Sequence, residues 1–228
     1  MRFFSGNTIG YFAAEFFGLY SSYTDQFSIL NALALLIGGI IANLATGYIS
    51  DKYNAKHFMI KTHIQMFSSI MSIPPVLLCF LTTDNFYVSM AGLFLIYLLS
   101  EGWISPSIGM IQECADPSVK GVVIACFLLL CTLCGMLSNV LIGFLLEACG
   151  STPEHLGIIM IYCISIPNCI SIFTFYMAGR NYRAYRNQIE RDTYQLHIER
   201  YQKGCYKKDR LEDPSGHLSK GTFYSAAA

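Results

Sequence analysis

The sequence predicts an all-α membrane protein that crosses the bilayer six times and ends on the side where it begins. Three observations carry this reading: the length and number of its apolar runs, the scarcity of charge inside them, and the lopsided placement of cations between them. Of 228 residues, 54% are hydrophobic and 13% charged, and the mean hydropathy is +0.44. Soluble domains carry about a quarter charged residues, so hydrocarbon is the solvent that suits this composition.

Runs at 27–49, 58–81, 86–112, 119–146 and 156–178 each match or exceed the roughly 20 residues that a helix needs to cross hydrocarbon. A first run at 3–20 is shorter and is interrupted by Asn7 and Glu15. Gly6, Asn7, Gly10 and Glu15 break it up too much for a cleaved signal peptide. Six of the nine cysteines (Cys79, Cys126, Cys131, Cys134, Cys163 and Cys169) fall inside these runs, where cysteine acts as a small hydrophobe. Cys131 and Cys134 form a C-x-x-C without a second pair or a nearby histidine, so they read as packing residues, and no metal or cofactor is expected.

The formal net charge of zero hides an asymmetry. When the connections are assigned alternately to the two faces, Arg2, Lys52, Lys56, Lys61, Lys120 and every cation from Arg180 to Lys220 fall on or beside one face. The opposite connections, at 21–26, 82–85 and 149–155, hold no Lys or Arg and no Asn-x-Ser/Thr acceptor. The positive-inside rule makes the basic face cytosolic, with both termini there. Five or seven crossings would scramble the sorting.

Spacing suggests an internal repeat. Gly39, Asn43, Gly47 and Asp51 recur at intervals of four, and Gly135, Asn139, Gly143 and Glu147 repeat the pattern 96 residues later. Intervals of four place each set along one helix face. The second span runs inward and the fifth outward, so the matched carboxylates finish at opposite surfaces. This is a 3+3 arrangement in inverted topology. For the small residues in these stripes, close helix packing is the favoured reading over ligand contact.

The connection after the second span, GYISDKYNAK at 47–56, gathers charge between two apolar runs. Its order resembles the signature of the major facilitator superfamily, with Gly47, Asp51, Lys52 and Lys56 matching, Asn54 in place of a second glycine, and Ala55 in place of a base. A left-handed backbone is expected at Asn54 on that reading. The carboxylate at the helix end pairs with a base or a neighbouring helix N-terminus, holding one surface arrangement. The stretch SEGWISP at 100–106, then DPSVKG at 116–121, is similar to the fourth-to-fifth helix region of spinster-like facilitators, with Lys120 where arginine is usual. Locally, Asp116 reads as a helix N-cap and Pro117 as a first helical residue.

The resemblance implies one six-helix half of a carrier, equivalent to its C-terminal half, with the substrate site between two halves. The second half belongs either to the same longer chain or to another subunit. Glu15 and Glu101 are the carboxylates placed inside spans, where a charge costs about 3 kcal/mol on insertion scales. Because the family's cavity is lined by the first, second, fourth and fifth helices of a half, both become candidates for substrate binding or proton coupling. Asn43, Tyr97, Trp103 and Asn139 are cavity candidates by position. The expected function is secondary-active transport of a small amphiphilic or lipid-like solute, and the competing reading is a non-transporting membrane partner or a carrier fragment. No Ser/His/Asp set or ligand cluster lies inside the spans, which argues against an enzyme, and no span carries the spaced arginines of a voltage sensor.

Pro74 and Pro75 interrupt the third span, Pro106 the fourth and Pro167 the sixth. His63 and Gln65 read as interfacial. Residues 1–178 form the expected membrane domain and 179–228 a basic, aromatic tail. Arg180, Arg183 and Arg186 there lie beside Tyr182 and Tyr185, which suits a helix against anionic headgroups. From Asp209 on, the composition reads as disordered. That basic stretch follows from topology and calls for no nucleic-acid partner. Label or protease accessibility in sealed vesicles is expected to find the Asp51 turn and the carboxy-terminal end on the same side.

Overall fold

The computed structural model describes residues 1–18, 20, 23–54, 58–82, 85–149 and 153–212. All regular structure among them is helical. The helices are α1 (Arg2–Phe17), α2 (Thr24–Asn54), α3 (Ile60–Met71), α4 (Ile73–Leu81), α5 (Phe86–Ser100), α6 (Ile104–Cys114), α7 (Lys120–Cys149) and α8 (Pro153–Glu212), with a 3-10 turn, Glu101–Trp103, between α5 and α6. Five stretches are long and apolar enough to cross a membrane: α2, α3 with α4, α5 with α6, α7, and the apolar part of α8. The sixth expected crossing, α1, has only 16 residues.

The chain divides into two units, Met1–Tyr185 and Arg186–Ala228. The first is the helical bundle. In the second, the described residues continue α8 to Glu212. Of the stretch expected to be disordered, residues 209–212 are therefore helical, and 213–228 lie outside the described residues.

On α3 the burial pattern is inverted relative to a helix of a soluble protein. The buried face of α3 consists of Lys61, Thr62, Gln65, Ser68 and Ser69, while Phe67 and Ile70 face outward. Large aliphatic side chains along α2 and α7, such as Leu36, Ile40, Leu44, Leu133, Leu137 and Val140, are also exposed. Hydrocarbon accepts such a surface, and van der Waals packing with internal polar bonds then holds the helices together.

Helices approach closely at small residues. A Cβ on Gly92 of α5 would lie 2.8 Å from the Cys79 amide nitrogen of α4, and one on Gly38 of α2 would lie 3.1 Å from Tyr97 Cβ. α2 packs along α5 and the 3-10 turn, and α1 packs along α7. At one end of the bundle, Phe17 stacks on Phe27, Tyr23 stacks on Phe86 at 4.8 Å, and the Tyr20 hydroxyl donates to the Thr82 carbonyl. Lys61, Glu113 and Tyr182 meet at the other end. Among the described cations of the bundle, Lys52, Lys61 and Lys120 fall at helix termini of that end, and Arg2 does not.

Arg2 corrects the reading of the loops. It is not at a surface but 5% exposed, and it bonds to residues midway along three other helices. Lys61 and Gln65, read as edge or interfacial residues, are each 2% exposed, whereas His63 is exposed as expected. At the start of α7, Asp116 caps a turn and not the helix itself, since α7 begins at Lys120. The Asp116 carboxylate accepts from the Ser118 backbone N–H at 3.0 Å and from its hydroxyl at 2.8 Å, in that order of importance, which holds it below the usual carboxylate range.

The Gly92 contact is with backbone, so it cannot be relieved by turning a side chain. Gly92→Ala is expected to lower stability by about 1–3 kcal/mol in detergent, whereas Gly143→Ala, with nothing within 4 Å of its Cβ position, should leave the melting temperature unchanged.

Candidate functional site

Two helical interruptions and the proline-bearing turn of an unbroken helix, α8, meet at one depth. Proline lacks an N–H and its ring displaces the carbonyl four residues back, so Pro74 and Pro75 leave backbone acceptors free beside the kink at Ser72 between α3 and α4. Pro106 stands just after the 3-10 turn that separates α5 from α6. Pro167 lies inside α8, next to Asn168.

Arg2 of α1 bridges all three. Its Nη1 donates to Asn168 Oδ1 at 2.7 Å and to Ser72 Oγ at 3.5 Å. Its Nη2 donates to Ser100 Oγ at 2.7 Å, to Ser68 Oγ at 3.5 Å and to the Ser100 carbonyl. Asn168 Nδ2 donates to Ser72 Oγ at 2.8 Å, and the Ser5 hydroxyl donates to Asn168 Oδ1 at 3.2 Å. The Ser68 hydroxyl donates to the Leu99 carbonyl at 2.7 Å. The last turn of α5, the negative end of a half-helix, thus receives a fixed cation and a hydroxyl. Arg2 Nε is buried without a partner.

Glu101 is the predicted residue that the structure brings to this layer. It opens the 3-10 turn, is half-buried, and interacts electrostatically with Arg2 at longer range than the direct ion pair formed by Lys61 and Glu113. Trp103 is buried two residues on, edge-to-face with Phe3 at 5.5 Å. Tyr97, one turn before Glu101, is buried and donates to Asn31 Oδ1 at 3.0 Å. A cavity of about 340 Å³ beside Arg2 and Trp103 is lined largely by apolar residues of α1, α7 and α8.

Other predicted residues lie elsewhere. Glu15, expected well inside the first span, is exposed and two residues from the end of α1. The helix is shorter than the apolar run suggests, because Gly18 ends it. Asn43 is half-buried, spends its amide on the Gly39 carbonyl at 2.9 Å, and lines an outward groove on α2 with Leu36, Ile40 and Leu44. Asn139 is half-buried on α7 and accepts from the Ser138 hydroxyl at 3.4 Å.

Of the charged motif, Gly47 packs against Ser105, with Oγ 2.9 Å from its Cβ position. Asp51 and Lys52 are exposed on the last turns of α2. Lys52 Nζ sits over the Tyr48 and Tyr53 rings, 5.4 and 5.8 Å from their centroids. α2 continues through Asn54, so that position is helical and not left-handed. Lys56 lies outside the described residues.

The sequence reading missed Arg2, Ser68, Ser72, Ser100 and Asn168. Their signal is present in hindsight: serines at intervals of three and four in an apolar run, and an asparagine beside a mid-span proline. Comparison with models of known protein families, with curated proteins and with solved structures finds no match for this chain.

Removing the guanidinium takes a charged donor from the Ser100 carbonyl, Ser100 Oγ and Asn168 Oδ1, leaving hydroxyls at 3.1 Å and 3.2 Å as the remaining donors to the carbonyl and the amide oxygen, and a hydrogen bond to a charged group contributes about 1.5–3 kcal/mol. Arg2→Met is therefore expected to cost about 3 kcal/mol in total. In a double-mutant cycle of thermal unfolding, Arg2→Met and Asn168→Leu should be clearly non-additive.

Proposed function

We propose that this chain is a six-helix membrane unit of facilitator type, built as a 3+3 inverted repeat and nearest the spinster-like carriers. In this reading it moves a small amphiphilic or lipid-like solute, working with a second six-helix half and keeping the carboxy-terminal tail cytosolic. The observation that carries the proposal is the convergence of two interrupted helix pairs, α3–α4 and α5–α6, and the Pro167 turn of α8 on a buried cation and a nearby carboxylate at mid-depth. Broken helices whose ends face one polar point are how carriers build a site inside a membrane.

The helix neighbours support the inverted repeat. α1 packs along α7, and α2 packs along α5. These two pairings exchange when the first three spans are swapped with the last three. Glu101 is the group assigned to proton coupling or substrate binding, since it is half-buried and lacks the direct ion pair that neutralises Glu113. Glu15 carries less weight because of its place at the end of α1.

A second reading, a membrane partner or regulator that transports nothing, is favoured by one feature. The Arg2 guanidinium already fills the mid-depth layer with bonds to four side chains.

Flux measured in proteoliposomes, with the chain alone and with a partner half, separates the two readings. Glu101→Gln is expected to abolish most pH-dependent uptake while Glu15→Gln leaves it intact. Unchanged uptake in Glu101→Gln would remove the coupling role, and absence of flux in every combination would favour the regulator.

A further inference from the structure

The bundle interior is divided by depth. From the Arg2 layer toward the cation-free end it is largely apolar, with Phe16, Phe17, Val76, Leu93, Met160 and Ile164 fully buried and the buried Ser89 hydroxyl satisfied by the Cys79 carbonyl. From the same layer toward the Lys-rich end, the inner face of α3 is polar at every turn: Ser72, Ser69 and Ser68, then Gln65, then Thr62 and Lys61. Gln65 Nε2 donates to Ser107 Oγ of α6 at 2.8 Å. The Thr62 hydroxyl is fully buried and has no partner. Unpaired, this hydroxyl is the member of the polar face with hydrogen-bonding capacity to spare.

Directly above Thr62, this polar half is closed by charge. Lys61 Nζ, on a residue 2% exposed, donates to Glu113 Oε1 of α6 at 2.6 Å, and the Tyr182 hydroxyl of α8 donates to Glu113 Oε2. The ammonium also lies over Gly109, 3.2 Å from its Cβ position. Three helices are thus joined across the mouth of the polar seam, and Glu113, at 27% exposure, is the member that reaches the surface.

We propose that the Lys61–Glu113–Tyr182 cluster is a gate, and that it controls the access of water from the Lys-rich end, along the polar face of α3, to the Arg2–Glu101 layer. The pair is strong enough to hold the mouth shut, because separating two partly buried charges strands each of them. It also lies at the boundary with water, where rehydration of Glu113 offsets part of that loss. The seam below it stops at the layer, since the next turns of the bundle are dry. The gate concerns the same mid-depth site as the proposed carrier, but it needs no substrate. Failed flux therefore leaves it standing, and failure of the gate leaves the carrier reading standing.

The test is thiol labelling in proteoliposomes, using the full chain with its native cysteines replaced by alanine. 2-Aminoethyl methanethiosulfonate is applied from the Lys-rich side. Thr62→Cys and Ser69→Cys report on the seam, and Val76→Cys reports on the dry half. With the cluster intact, all three should label slowly. Lys61→Met and Glu113→Gln, made separately so that either suffices if the other does not fold, should each speed labelling at 62 and 69 by about tenfold or more. Val76→Cys should remain slow. Unchanged rates at 62 and 69 would overturn the gate. Equal acceleration at 76 would also overturn it, because general loosening of the bundle would then be the cause.

Discussion

One buried guanidinium organises this bundle. A cation in hydrocarbon persists only where protein supplies its partners, and Arg2 draws them from α3, α4's kink, α5 and α8 together. The converse holds as well, since the interruptions that supply those partners would be costly without the cation. Prolines and the 3-10 turn strip helices of internal bonds, and a stripped carbonyl in a bilayer has no water to turn to. The Ser100 carbonyl finds Arg2 and the Leu99 carbonyl finds Ser68. Cation and breaks satisfy one another, and neither makes physical sense alone.

From that layer the rest of the interior follows. On one side aromatic rings fill the space, with Phe16 edge-on to Phe80 at 5.0 Å and Phe17 on Phe27 at 4.7 Å. Such an assembly has no use for water. On the other side hydroxyls, an amide and an ion pair line α3. A helix that buries its polar face and exposes its apolar one would unfold a soluble protein. In lipid it is the stable choice, because the outer face needs no hiding and the inner face needs bonds.

Much of the architecture could be read from the amino acids, for reasons that are local. The five long apolar stretches stand out by length, and the clustering of Lys52, Lys61 and Lys120 at one end follows from their alternation along the chain. The prolines at 74, 75 and 106 marked two interruptions correctly, whereas α8 runs unbroken through Pro167. What could not be read was their convergence, because residues 2, 72, 100 and 168 are related only through packing. Arg2 was misplaced because position in sequence was taken for position in depth. Gln65 was misplaced because a polar residue near a helix start usually faces water, and on α3 it faces Ser107. Glu101 was legible as a lone carboxylate in an apolar run. The same logic misjudged Glu15, since α1 ends at Phe17.

The reach of Arg2 also bears on the order in which the bundle can be assembled. The partners of α1 are spread over the whole bundle, and Asn168 is among the last of them to be synthesised. Until α8 has emerged, the Arg2 guanidinium lacks one of its two shortest side-chain bonds, the one to Asn168. A segment made before its partners is then settled only after the last of them, when α8 arrives to complete its contacts.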